Sequence, residues 1–442
     1  MKLRNMFAVA LAGLALTACS NDEVPGQETP VEGTKTYIGL TMQLPKGTTT
    51  KAAVTGSAEE NRLTKLYVYC WTGMNIGTPK VVDVPADGVT ATVSIEGVVG
   101  NNNIFVTSNT SAAISGLTAT GVTHTSPQEL TMNLADLTDP TKAANGFVMF
   151  SKSINVVNAE QKTQAEVTDA GYSGPNAVSI ELRRAVAQVK LTSSLTNTTS
   201  IADAGGYGTL TNIMWNIANQ PTTIYPVAKF VTAGTGFVAG NVISPFTAFE
   251  AGLNIDPTIN VPANGAAASV LYCKENAHGG DAYLNSNTTA IKVMATFSPS
   301  SYINAVTAGT SGKTYDFTTA SDLTGDFYVL NNTDAELTAY AFFDKTAADQ
   351  YIAIAGGDLA TKFTKYTDGK CYWSIPIHDG ATPKVYGVLR NNQYTVNITS
   401  ITAPGLPAFP TDNNPIAAET WIKVSVSVEA WNGNDMSDVE LK

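Results

Sequence analysis

Leu16-Thr17-Ala18-Cys19 is the first stretch of this sequence whose residue types and spacing allow specific chemistry. Small residues and then cysteine, behind an apolar run, match a bacterial lipobox. The thiol takes a diacylglyceryl group before cleavage leaves Cys19 at the new N-terminus. Ahead of it, Lys2 and Arg4 supply a positive start and Phe7–Leu16 an apolar stretch too short to span a bilayer. Residues 1–18 therefore read as a secretory signal, and acyl chains on Cys19 would hold the precursor at a membrane. Lys51, followed by Ala52, is the second chemically defined position. It lies in the polar run Pro45–Ala53, and exposed polar loops are where proteases cut. A trypsin-like cut after Lys51 would detach residues 19–51. Taken alone, Lys51 reads more plainly as an ordinary linker lysine.

Catalytic chemistry has little to stand on. The three histidines, His124, His278 and His378, are far apart and lack the spacing of a metal site. There is no GxSxG, no phosphate-binding glycine loop and no GxGxxG behind a strand. Carboxylates are scattered. Neither an enzyme, nor a cofactor, nor a metal is expected. Besides Cys19, the cysteines Cys70, Cys273 and Cys371 cannot all pair within one chain, form no CxxC and read as small buried hydrophobes. The net charge of −11, with no basic run beyond the first residues, disfavours nucleic acid as a partner. Aromatic clusters at Tyr67–Trp71 and Cys371–Trp373 suit strand cores better than sugar stacking.

The elements around these positions are strands. In 442 residues, 43% are apolar and only 14% charged. That is enough for large cores beneath a surface of Thr, Ser, Asn and Gly. Two stretches alternate with a strict period of two. Near the start, Ile38, Leu40, Met42 and Leu44 share one face. Near the end, Ile422, Val424, Val426 and Val428 share one face, while Lys423, Ser425, Ser427 and Glu429 occupy the other. Between them run many short β-like segments with Gly and Asn turns, among them Leu63–Trp71, Asn103–Ser108, Ala177–Leu191, Thr209–Ile217, Ala290–Phe297, Leu337–Phe343, Cys371–Ile377 and Tyr394–Ile401. One helix is expected, capped at Ser126-Pro127-Gln128-Glu129 and running to Leu137. The fold class expected is all-β, with two antiparallel β-sandwich domains and minor helical insertions. A Thr, Ser, Gly and Ala-rich stretch at Asn197–Tyr207 places a boundary between domains 52–200 and 201–442, behind a lipidated propeptide 19–51 that begins with a flexible tether, Ser20–Gly33, and contains the strand at Ile38–Leu44.

In their order, several blocks resemble the fimbrillins, the major fimbrial subunit proteins of Bacteroidales-type (type V) pili. They are the lipobox, Thr50-Lys51-Ala52-Ala53, Leu66–Trp71, Ile104–Asn109, Gly146–Met149, Glu181–Val189, Tyr272–Asn276, Gly369–Trp373, Tyr386–Asn391 with Tyr394, and Val428–Trp431. Asp22 and Glu23 resemble the acidic signal that sends such lipoproteins to the cell surface. The cut would follow lysine rather than arginine. The resemblance implies transthyretin-like sandwiches, export as a lipoprotein to the outer membrane, and trypsin-like removal of residues up to about Lys51. Loss of the strand carrying Ile38, Leu40, Met42 and Leu44 would leave a groove. The C-terminal strand of another subunit would fill it, making a surface fimbrium that supports adhesion. The implied partners are other copies of the chain and related pilin subunits. An accessory or tip subunit, or a surface lipoprotein binding glycan or host protein, are the alternatives.

Overall fold

The computed structural model describes residues 31–43, 60, 62–84, 92–108, 132–133, 147–169, 172–196, 200–202, 206–225, 257–277, 283–319, 323, 325–332, 334, 336–337, 341–378, 386–416 and 422–430. The chain is all-β, with helices at Gln164–Thr168, Lys345–Ala355 and Leu359–Lys362.

The first sheet draws on β1 (Lys35–Gln43), β2 (Lys65–Trp71), β3 (Lys80–Asp83), β4 (Thr92–Val98) and β5 (Gly100–Ser108). After β6 (Met132–Asn133), which pairs elsewhere, it adds β7 (Met149–Ser151), β8 (Asn155–Ala159) and β9 (Ala177–Arg184). The spatial order is β3-β2-β5-β7-β9-β1-β4, with β8 also on β5. In a flat sheet, β1 and β2 would stand roughly 19 Å apart, four strand spacings. Yet Ile38, Leu40 and Met42 share one core cluster with Leu66, Val68, Ile104 and Val106. The sheet therefore curls over its own apolar face.

At Ala185 the chain changes sheets: Arg184 pairs with Met149, and Val186 with Lys274. The next strands are β10 (Val186–Ser193), β11 (Ser200–Ala202), β12 (Gly208–Ala218), β13 (Thr223–Ile224), β14 (Ile259–Asn260), β15 (Ser269–Lys274), β16 (Asn276–Ala277) and β17 (Ala290–Pro299). An excursion follows, made of β18 (Ser301–Gly309), β19 (Gly312–Thr319), β20 (Phe327–Leu330), β21 (Phe342–Phe343) and β22 (Phe363–Tyr366). The chain ends on β23 (Lys370–Pro376), β24 (Gly387–Val388), β25 (Asn392–Ile401) and β26 (Ile422–Ala430). Two sheets, β15-β10-β25-β26 and β11-β12-β17-β23, enclose the largest core, which holds Val189, Leu191, Trp215, Val293, Trp373, Val396 and Ile398. Pairing is mostly antiparallel. The pairs β1–β9, β10–β25 and β18–β21 are parallel.

The excursion lies between β17 and β23, which pair directly, Ala295 opposite Cys371. Its sheet is covered on both faces. Phe327 and Phe342 point into the large core, while their neighbours Tyr328 and Phe343 point into a second cluster under the helix Lys345–Ala355. Successive strand residues face opposite ways, so adjacent aromatics bridge two cores. The helix starts where the Asp344 side chain accepts from the Ala347 N–H at 2.7 Å.

Several expectations change in detail. Met132–Asn133 is a short strand paired with Thr223–Ile224, not part of a helix. The rest of the expected helix at 126–137 lies outside the described residues. Of the strand expected over Leu337–Phe343, Phe342–Phe343 is strand and Leu337 and Ala341 are not, while residues 338–340 lie outside the described residues. The three helices above fall where only strands or loops were expected.

Leu40 is fully buried and Gln43 exposed on the same strand. Leu40→Ala should cost ~2–5 kcal/mol, read as a lowered midpoint in denaturant unfolding of the full chain. Gln43→Ala should change stability by no more than about 0.5 kcal/mol.

Candidate functional site

The site worth building is the slot that holds β1. On one side, β1 pairs antiparallel with β4, from Lys35 opposite Val98 to Thr41 opposite Thr92. On the other it pairs parallel with β9, but only from Gly39 opposite Ala177 to Gln43 opposite Glu181. Ahead of Gly39 another segment takes over, residues 160–169 and 172–176 between β8 and β9. Here Tyr37 N–H donates to the Lys162 carbonyl at 3.2 Å, and Gly39 N–H to the Asn176 carbonyl at 2.9 Å. The buried Asn176 side-chain amide donates to the Tyr37 carbonyl at 2.6 Å and to Glu160 O at 2.9 Å. Gln161 Nε2 donates to Lys35 O at 2.9 Å. Thr36 points inward with its hydroxyl donating to Glu160 O at 2.6 Å and accepting from Lys162 N–H at 2.7 Å. This stretch is a strap across the strand. Every polar group of β1 named here has a partner, as burial demands.

The strap carries the short helix Gln164–Thr168, whose Val167 is buried. Thr163 and Glu166 cap it reciprocally. The Thr163 hydroxyl accepts from Glu166 N–H at 3.4 Å, and Glu166 Oε2 accepts from Thr163 N–H at 2.7 Å. The Thr163 backbone amide, then its hydroxyl and Lys162, hold the Glu166 carboxyl at a pKa of about 2.

A buried polar junction joins β9 to the rest. Arg184 Nε donates to Glu60 O at 2.9 Å, and both its backbone N–H and Nη1 donate to Asn391 Oδ1 at 3.2 Å. Glu60 Oε1 accepts from Tyr272 at 2.6 Å and from Gln188 Nε2 at 2.8 Å. Burial pushes the Arg184 guanidinium down to about 10 against the pull of Glu60. Beside it, Arg390 pairs with Glu275 at 2.6 Å, both side chains almost fully buried, and its guanidinium lies 5.8 Å from the Phe150 ring centroid. Three blocks quoted from the sequence, around Arg184, Tyr272 and Arg390, therefore meet in space.

The C-terminal strand sits elsewhere. Among the described residues β26 is an edge strand, paired antiparallel with β25 along its length, Ile422 opposite Ile401 and Val428 opposite Tyr394. Val424 and Val426 pack, half-buried, against the large core, and Ser425 is exposed. The structure thus places Ile38, Leu40 and Met42 inside one sheet and Ile422, Val424, Val426 and Val428 at the edge of another. It does not bring the two sets together within one chain. Cys19, Leu44, Lys51 and Ala52 lie outside the described residues. Cys273 and Cys371 are buried and Cys70 half-buried, none of the three is in a disulfide, Cys371 Sγ donates to the Ala295 carbonyl at 3.4 Å, and burial pushes the Cys70 thiol up to about 11. The strap and the Glu60–Arg184 junction were not foreseen. The strap had a legible signal, Thr163-Gln-Ala-Glu166.

Glu166 binds its proton more weakly folded than unfolded. Its contribution is therefore complete above the ordinary value of 4.5 and lost as pH falls towards about 2. Protection factors at Tyr37 and Val167 amides should drop across that window in hydrogen exchange, and Glu166→Gln should flatten the drop.

The pattern of the family described as major fimbrial subunit protein type IV, fimbrillin, C-terminal, matches residues 364–436, the span from β22 to just past β26. No curated protein matches the chain. Among solved structures, a Parabacteroides distasonis protein assigned to cell adhesion is 17% identical over 91% of this chain and 100% of its own, with a TM-score of 0.47. A fimbrilin from Porphyromonas gingivalis is 14% identical over 89% of this chain and 97% of its own, with a TM-score of 0.47. A tip fimbrial protein from Porphyromonas gingivalis, truncated at its C-terminus, is 14% identical over 90% and 100%, with a TM-score of 0.42. Over residues 364–436 this chain is thus similar to the C-terminal part of the fimbrillins.

Proposed function

We propose that the protein is a structural subunit of surface fimbriae, exported as a lipoprotein through Cys19, cut by a trypsin-like protease after Lys51, and joined to further copies by strand exchange. The observation that carries this reading is the setting of β1. Ile38, Leu40 and Met42 are each 0% exposed, so the strand plugs a slot in the interior of its sheet. Burial of three such side chains is worth about 5–9 kcal/mol, and each ladder hydrogen bond adds ~1 kcal/mol. A cut in the segment behind Gln43 frees the strand from covalent attachment, and the slot then needs a new occupant. β26 has the same length of nine residues and the same alternation, and among the described residues it is held by one neighbouring strand only. An unfilled slot would be an open, aggregation-prone edge, so β1 acts as a cap until assembly.

Two sandwich domains are part of this reading, and the change of sheet partners at Ala185 supports a division near the end of β9. Outer-membrane anchoring before the cut, surface fimbriae after it, and a role in adhesion follow from the same reading. A second reading has one observation in its favour. β26 already completes its own sheet, as it would in a lipidated monomer that binds glycan or host protein.

Lys51→Ala should leave the precursor intact and abolish fimbriae, seen as loss of the polymer ladder on gels and of filaments by electron microscopy. Filaments at the wild-type level would remove the processing step. Val424→Asp with Val426→Asp should yield processed monomers in size-exclusion chromatography. Normal fibres from that double variant would remove the donor role of β26, whereas a wild-type protein that stays a lipidated monomer would favour the second reading.

A further inference from the structure

Gly39 is the one position of β1 where the strap leaves no room for a side chain. A Cβ built there would stand 2.5 Å from the Val167 carbonyl oxygen and 3.4 Å from its Cβ. The closer atom is backbone, so relief requires the helix Gln164–Thr168 itself to move. The strap also reads Thr36. That residue faces inward with Ile38, and its hydroxyl satisfies both Glu160 O and Lys162 N–H. The remaining bonds from the strap go to the backbone of Lys35, Tyr37 and Gly39, and any strand could offer those.

The segment Ile422–Ala430 meets neither requirement. It has no glycine, so every register presents a Cβ to Val167. With Ile422, Val424, Val426 and Val428 inward, its serines face outward, and no hydroxyl replaces that of Thr36. We infer that the strap, residues 160–169 with Asn176, is a lock keyed to β1 at Thr36 and Gly39, and that the C-terminal strand of a second copy occupies the slot only with this strap displaced. The inference rests on the strand-exchange reading. It adds that the slot exists in two states, strap closed on β1 and strap released around the incoming strand. It also makes Thr36 and Gly39 the residues that determine which strand the closed slot accepts.

Hydrogen exchange by mass spectrometry tests this on the full chain. Gly39→Ala should raise exchange over 160–169 at least ten-fold and leave β12 and β17 as in the wild type. Thr36→Val, which keeps the shape and loses the hydroxyl, should act in the same direction and serves where Gly39→Ala does not fold. Wild-type protection of the strap in either variant overturns the lock. In the second arm, the strap is compared between the uncut precursor and polymers formed after processing. Faster exchange in the polymer supports the released state. Equal protection overturns it and leaves strand exchange standing. If no polymer forms, the exchange reading falls, and the two variants alone decide whether the strap is keyed to β1.

Discussion

A fully buried guanidinium sets the geometry on which the slot depends. Arg184 ends β9, and its hydrogen bonds reach Glu60 ahead of β2 and Asn391 ahead of β25. Removing a charge from water is costly unless good geometry and further hydrogen bonds satisfy it. Here the neighbours comply: Asn391 adopts a left-handed φ of 60°, and the Glu60 carboxylate accepts from Tyr272 and Gln188. The Arg390–Glu275 pair repeats the arrangement next door, with Arg390 reaching back to Phe150 of the first sheet. Strands from both sheets thus meet at a point where displacement would strand a buried charge. β9, one wall of the β1 slot, is pinned at that point.

The two alternating strands occupy unequal environments. β1 has strands on both sides, a strap on its outer face and a core beneath its inner face. β26 has a strand on one side, and Val424 and Val426 are only half-buried. An edge strand gives up fewer hydrogen bonds and less apolar contact when it leaves. The asymmetry means that exchange of β26 into a β1-type slot gains burial, provided β1 has first been cut free and the strap yields.

Much of this was legible from residue periodicity. β1, β12, β17, β23, β25 and β26 carry the period of two because one face meets a core and the other meets water or a thinner layer. The excursion was less legible. Phe327-Tyr328 and Phe342-Phe343 are apolar on both faces, and a doubly covered strand shows a continuous apolar run rather than alternation. The helix Gln164–Thr168 is too short for a 3.6 period, and only its capping signature marked it. The junction was out of reach. Arg184 lies 124 positions from Glu60 and 207 from Asn391, and nothing local distinguishes it from its half-buried neighbour Arg183. The buried state of Cys273 and Cys371 followed from residue type alone.

The parallel pairing of β1 has a consequence in time. The strand leaves the ribosome early, yet Asn176, which holds its Tyr37 carbonyl, comes 139 residues later. Closing so long a loop is slow, because entropy is lost before contacts repay it. β2, β3, β5, β7 and β8, all made before Asn176, can pair among themselves meanwhile. β1 can thus be enclosed only after the strap and β9 have been made, whereas the pairings among β2, β3, β5, β7 and β8 do not wait for it.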